Sequence, residues 1–324
     1  MLVMTVSFLA MTVVYNRLIC HKKEYIMETQ VLADLSAYMQ DTGLSQAAVA
    51  RALGVSTAAV STYLKRKYAG DLPEFENKIV GFLALQAERN KGAKTQLKYV
   101  KTATASQMYL LIRMAHTECE PVALYGGAGL GKTAALKEYA QQNKDSVLIE
   151  TDPSFTARVL VVEIAKEIGV SHSGSLNDIL ADIVAKLKGS GRVLLIDEAE
   201  LLPLRALEVV RRIHDKAGVG VVLAGMPRLL VNLMGRRGEL KQLYSRMAYG
   251  LPLGETVADA DLTEIVKANA PKWNDEVVAK LVVLAKGNVR RLTKLINGIR
   301  RAETLNATRA TPDMVAAFSK MLIG

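Results

Sequence analysis

Between residues 31 and 87 apolar side chains recur at three- and four-residue spacing. The rhythm is interrupted by turn signals at Thr42-Gly43, at Gly54 and at Gly70-Asp71-Leu72-Pro73. This pattern predicts a small all-helical domain over residues 27–88. The polar, basic stretch Arg89-Asn90-Lys91-Gly92-Ala93-Lys94 then predicts a linker over 89–98. Past it the rhythm changes. Short, nearly continuous apolar runs at 122–125, 147–150, 193–196, 219–224 and 248–251 alternate with longer helical segments. Strands of that kind are buried on both faces, so residues 99–254 predict an α/β domain whose parallel sheet is covered by helices. From Asp259 onward only helical periodicity remains, in about four segments, the last opened by Thr311-Pro312-Asp313. A C-terminal helical domain is placed over 255–324.

The first 26 residues do not fit this scheme. The stretch MLVMTVSFLAMTVVYNR carries no charge before Arg17. It is shorter than the roughly 20 apolar residues of a spanning helix. It also lacks the basic leader and the small-residue cleavage site of a secretory signal. Met27 begins METQVLADLSAY, a natural start for a soluble domain, so residues 1–26 read as an extension from a start assigned upstream. The alternative is a membrane anchor.

The strand-to-helix junction at Gly126-Gly127-Ala128-Gly129-Leu130-Gly131-Lys132-Thr133 matches G-x-x-x-x-G-K-T. An apolar strand precedes it and a helical segment follows. Glycines there let successive N–H groups turn inward around phosphate oxygens at the positive end of a helix dipole. Lys132 would reach the β- and γ-phosphates of ATP, and the Thr133 hydroxyl would join Mg²⁺. Further along, Val193-Leu194-Leu195-Ile196-Asp197-Glu198 is an apolar strand ending in two carboxylates. Asp197 is placed to hold the Mg²⁺ shell and Glu198 to activate water as a general base.

These two motifs, in this order within one α/β domain, resemble the AAA+ superfamily of ATPases. The resemblance implies an arginine that reaches the nucleotide of a neighbouring subunit. Arg246, just before the last strand, matches that position, with Arg236 and Arg237 as lesser candidates. A second arginine is implied in a G-x-x-R pattern of the helical lid. Gly287-Asn288-Val289-Arg290 fits, making Arg290 the candidate and Arg291 the fallback. One element departs from the pattern. Such ATPases place a water-orienting polar side chain after the fourth strand, where this chain has Met226, and a thioether is a weak acceptor.

The remaining motif is SQAAVARALGVSTAAVSTYLKRKYAG, residues 45–70. Ala50, Leu53, Val55, Val60 and Leu64 have the spacing that packs two short helices across a tight turn, as in a helix-turn-helix. Gly54 suits a left-handed helix end and Ser56 an N-cap. Thr57, Ser61, Thr62 and Lys65 are left on the outer face, followed by Arg66 and Lys67. Short polar groups can approach base edges, and the basic cluster can meet phosphates. A second DNA surface is predicted on the helix after the acidic strand, where Arg205, Arg212 and Lys216 fall near one face.

Charge changes the picture modestly. Lys and Arg total 42 against 32 Asp and Glu, a net +10 that suits a polyanionic partner. The helical domain itself is balanced. Its DNA contact is therefore weak alone. The two cysteines, Cys20 and Cys119, form no framework, and the four histidines show no metal-ligand spacing. A reducing cytoplasm fits.

The order helix-turn-helix, phosphate-loop ATPase, compact helical C-terminus resembles, over about residues 28–320, the transposition B proteins of Mu-type transposable phages. That resemblance implies non-sequence-specific binding of double-stranded DNA under ATP control and a homo-oligomer or filament on that DNA. It also implies delivery of the DNA to a cognate transposase that triggers slow hydrolysis. Two alternatives stay open: an AAA+ loader or secretion-type ATPase of another kind, and a nucleotide-gated DNA-binding regulator with little hydrolysis.

Overall fold

A computed structural model of the chain describes residues 30–91, 97–234 and 244–322. The apolar extension 1–26, Arg236 and Arg237 lie outside the described residues. Contacts divide the chain into two units, Met1–Ala93 and Lys94–Gly324.

The described residues of the first unit are helical: α1 (30–42), α2 (Gln46–Leu53), α3 (Thr57–Leu64) and α4 (Leu72–Lys91). Ser45 caps α2 by accepting from the Ala48 amide, and Ser56 caps α3 by accepting from that of Ala59. Gly54 closes α2 in the left-handed region at φ 68°, and the chain turns by 113° into α3. Ala50 and Val60 are buried, while Leu53, Val55 and Leu64 pack partly covered around them. Val49, Tyr63, Phe75 and Ile79 complete this core. Helix α4 runs through Lys91, so regular structure occupies the first residues of the stretch read as a linker. At the other end of that stretch the Lys98 amide donates to Asn269 Oδ1 at 2.8 Å, which ties Lys98 to the second unit.

The second unit opens with α5 (Ala103–Glu118) and β1 (Pro121–Tyr125), followed by α6 (Lys132–Gln142) and β2 (Ser146–Glu150). Helices α7 (Ala157–Ile168) and α8 (Leu176–Leu187) precede β3 (Val193–Asp197), and α9 (Leu204–Ala217) precedes β4 (Gly220–Gly225). Helix α10 (Arg228–Met234) and β5 (Tyr249–Pro252) close the core. The strands form one parallel sheet in the order β2-β3-β4-β1-β5.

Alternation along the strands explains the two covered faces. Leu194, Ile196, Val221 and Leu223 point to the side packed by α7, α8 and α9. Val122, Leu124, Val193, Leu195 and Val222 point to the side packed by α5 and α6. Every one of these positions is apolar, hence the continuous runs in the sequence. The lid follows as α11 (Asp259–Asn269), α12 (Asp275–Ala285), α13 (Val289–Asn306) and α14 (Pro312–Met321). They enclose a separate core around Leu262, Leu281, Leu292, Leu295 and Ile296. Among the described residues no single helix is long and apolar enough to cross a membrane.

Candidate nucleotide site and DNA-facing surfaces

Strand β1 lies between β4 and β5, and the glycine-rich loop leaves its carboxyl end, where open parallel sheets bind their ligands. Gly129 and Gly131 take φ of 78° and 95°, a region that side chains with a Cβ resist. The Gly127 amide is held by the Gly254 carbonyl at 2.8 Å. Lys132 opens α6 and is buried, its Nζ donating to the carbonyls of Gly126 at 2.8 Å and Gly127 at 2.7 Å. Burial lowers its pKa below the ordinary lysine value; Glu200, Asp197 and Glu255 oppose that, and Arg290 adds to it. The ammonium thus rests on loop carbonyls, neutral acceptors that an anionic phosphate oxygen would outcompete.

Asp197 ends β3, is 3% exposed, and accepts from the Glu198 amide at 3.0 Å through Oδ1. Glu198 is exposed and sits at φ 53°, in the left-handed region. Such backbone persists where neighbours over-determine it. Here Thr151, just past β2, does so: its hydroxyl donates to the carbonyls of both Asp197 and Glu198 at 2.9 Å. Nothing in the sequence marks Thr151, because the contact spans 46 residues.

Lys132, Thr133, Asp197, Glu198 and Arg290 line one cavity of about 270 Å³, together with Glu200 and Met226. A hydroxyl and a carboxylate facing the same space beside a phosphate cradle are hard oxygen donors of the kind Mg²⁺ takes. A second cavity of about 680 Å³ shares Gly131, Thr133 and Val289 with the first. Leu97, Tyr99, Thr102, Met108 and Ile265 also line it, so it is mostly apolar, with room for a nucleoside. Tyr99 Oη is buried and has no hydrogen-bond partner among the described residues, and burial, aided by Glu138 and Tyr109, pushes its pKa up to about 12.

The lid is bound to the phosphate loop. Asn288 donates through Nδ2 to the Ala128 carbonyl at 3.0 Å, and the Val289 amide donates to that of Gly129 at 2.9 Å. Arg290 faces the cavity. Its neighbour Arg291 does not: its Nε donates to the Leu284 carbonyl at 2.7 Å and its Nη2 to Ser319 Oγ at 3.2 Å. One-residue rotation on a helix separates the two, which leaves the fallback arginine with a structural task. Arg246 lies elsewhere, beside Pro121 and Val221 at the amino ends of β1 and β4. It pairs with Asp215 at 3.5 Å. The phosphate loop leaves the opposite, carboxyl ends of the strands, and Arg246 is not among the residues that line its cavity.

Of the residues predicted to meet DNA, Thr57, Lys65, Arg66 and Lys67 are exposed and Ser61 and Thr62 half-buried. The Thr62 hydroxyl donates to the Ala58 carbonyl at 2.9 Å, so it retains only its acceptor capacity outward. Arg205, Arg212 and Lys216 are exposed along α9. Between them Arg211 is neutralised by Glu208 at 3.0 Å and Asp215 at 2.5 Å.

The parallel sheet with its phosphate loop and helical lid is the fold of AAA+ ATPases, and residues 115–233 match the AAA domain family. The chain is homologous over most of its length to transposition B proteins of Mu-like phages. It is 29% identical over 277 residues to the Mu-like prophage FluMu DNA transposition protein B of Haemophilus influenzae, covering 82% of this chain and 96% of the relative. It is 28% identical over 254 residues to the ATP-dependent target DNA activator B of Escherichia phage Mu, covering 76% and 78%. The ORC2 protein of Aeropyrum pernix, solved in its ADPNP–ADP complexes, shares the fold: TM-score 0.57 at 16% identity, covering 72% of each chain.

Proposed function

We propose that this chain is an ATP-dependent, largely non-sequence-specific DNA-binding ATPase of DNA transposition, one that captures target DNA, delivers it to a transposase and stimulates that enzyme. The observation that carries this reading is the single cavity lined by Lys132, Thr133, Asp197, Glu198 and Arg290 in a homologue of target DNA activators. In it, Lys132 and the amides of residues 126–131 hold the phosphates of ATP. Thr133 and Asp197 hold Mg²⁺, which supplies charge neutralisation on the phosphate oxygens. Glu198 takes a proton from the attacking water, and Arg290 meets the γ-phosphate from the lid. Arg246, at the amino ends of the strands and away from the phosphate loop, serves the site of a neighbouring subunit, so the working form is a homo-oligomer or filament on double-stranded DNA.

The DNA surfaces are Thr57, Ser61, Thr62, Lys65, Arg66 and Lys67 of the helical unit and Arg205, Arg212 and Lys216 of α9. ATP controls DNA only if it favours the binding-competent assembly by differential affinity, since an indifferent ligand shifts nothing. Hydrolysis is slow and rises with DNA and transposase, and the protein works in the cytoplasm. Met226, at 37% exposure on the cavity wall, favours a second reading: a nucleotide-gated DNA binder with little hydrolysis. The test is binding to unrelated duplexes with and without ATP, followed by electron microscopy. ATP-dependent filaments on every duplex are expected. Binding to one preferred sequence regardless of nucleotide would overturn the proposal. Phosphate release with DNA present separates the two readings.

A further inference from the structure

Glu200 sits in the one-turn 3₁₀ segment Ala199–Leu201 directly after the acidic end of β3. Its backbone carbonyl accepts from Asn232 Nδ2 at 2.8 Å, which fixes the segment against α10. Its Oε2 is buried and has no hydrogen-bond partner among the described residues. Native proteins rarely leave a buried polar oxygen unpaired, least of all a carboxylate. The oxygen lies against the last residue of β4: a Cβ built on Gly225 would collide with it. Gly225 thus makes the room that the carboxylate occupies, and the following residue, Met226, offers only a thioether. Glu200 lines the same cavity as Lys132, Asp197 and Glu198. Among neighbouring charges it also exerts the strongest pull on the Lys132 ammonium. Lys132 donates to loop carbonyls rather than to this side chain, so the ammonium does not engage the Glu200 carboxylate at the cavity wall.

We propose that Glu200 orients the hydrolytic water as its second acceptor, in the place where Met226 has no acceptor to give. A water attacking the γ-phosphorus has two protons. One passes to Glu198 as the new O–P bond forms, and the bond from phosphorus to the β,γ-bridging oxygen breaks, its electron pair leaving with ADP. The other proton stays on the oxygen and needs a fixed acceptor if the water is to hold one orientation. The Glu200 carboxylate on the cavity wall is that acceptor. It touches the reacting water rather than the nucleotide.

This inference rests on the ATPase reading, and the experiment separates the two. In the full-length chain with ATP, Mg²⁺ and DNA, Glu200→Gln should lower kcat about 10-fold and Glu200→Ala about 100-fold, the range of an oriented proton-transfer contact. KM, nucleotide Kd and Tm should stay close to wild type, because the Asn232 contact is to the backbone. Adding Met226→Asn to Glu200→Ala should recover at least tenfold of the missing kcat, which a merely structural role would not allow. The assignment is overturned if kcat in either single variant stays within twofold of wild type. It is equally overturned if the drop in kcat is matched by an equal drop in nucleotide affinity or by loss of the fold. If Glu200→Ala does not fold, the Gln variant decides. Hydrolysis abolished by Glu198→Gln but untouched at Glu200 would sink this inference alone. A wild-type chain that hydrolyses no ATP would sink the ATPase reading with it.

Discussion

Asn288 of the lid donates through Nδ2 to the carbonyl of Ala128 in the phosphate loop, at 3.0 Å, while its Oδ1 caps α13 by accepting from the Arg291 amide. One side chain therefore sets both the start of the lid helix and its grip on the loop. A Cβ at Gly129 would strike this carboxamide, so that glycine is required by the lid as well as by its φ.

Asn288→Asp keeps the cap and removes the donor, whereas Asn288→Ala removes both. With about 1 kcal/mol for the hydrogen bond and about as much for the cap, ATP Kd should rise about fivefold in Asp and more in Ala. Isothermal titration with a non-hydrolysed ATP analogue checks this. Equal affinity in all three proteins would show that the lid contact does not act on the nucleotide.

Lys132→Ala should abolish ATP binding without lowering thermal stability in the absence of nucleotide. The variant removes a buried charge whose desolvation already works against the folded state, along with two hydrogen bonds to carbonyls that stay near the cavity. Thermal unfolding with and without ATP gives the answer: the nucleotide-induced rise in Tm should vanish.

Glu198→Gln should bind ATP normally and lengthen residence on DNA, since the bound state is left only after hydrolysis. Thr151→Val should mimic it in part. With both hydroxyl bonds gone, the left-handed backbone at φ 53° is no longer held and the carboxylate drifts from the water. Dissociation rates on duplex DNA in ATP measure both effects, and wild-type rates would remove Glu198 from the role of base.

Asp261 of α11 is buried, and its carboxylate accepts from the amides of Ala103 at 3.3 Å and Thr104 at 3.0 Å, closing the start of α5. Burial alone would push this carboxyl up, but bonds from Thr104, Thr102 and Ala103 outweigh it and hold it below the ordinary aspartate value. A depressed folded pKa stabilises the protein above the unfolded value, and that contribution fades as pH falls through the folded one. The Tm gap between wild type and Asp261→Asn should therefore be widest near neutral pH and shrink below about pH 4. Asp261→Ala, which strands two amides, should cost on the order of 2–4 kcal/mol. A gap constant from pH 7 to pH 3 would refute the sign.

Changing Lys65, Arg66 and Lys67 together to Ala should weaken binding to all duplexes alike and flatten the dependence of log K on log salt, by about 0.9 for each phosphate that is no longer neutralised. Thr57, Ser61 and Thr62 supply few base-specific donors beside an Arg or Asn reader. Weaker binding to one preferred sequence with the rest unchanged would instead mark an operator-reading module.

By itself the sequence determined what rests on local chemistry. Strand and helix positions follow from apolar periodicity, so the strands were legible to within a residue or two of their ends and the lid as about four helical segments. The glycine loop with Lys132 and the Asp197-Glu198 strand end were legible because consecutive residues build them. Only the tertiary structure decided matters that depend on which distant groups meet. Arg290 faces the nucleotide cavity and Arg291 the lid interior because the helix rotates between them, a distinction that the string Val289-Arg290-Arg291 does not contain. Lys132, read as a loop residue, is buried once Gly126 and Gly127 fold over its ammonium. Thr151, Glu200 and Asp261 carry no local signal. Each acts across a gap closed by the sheet or by the packing of lid on core, and such contacts have no period for a sequence to display.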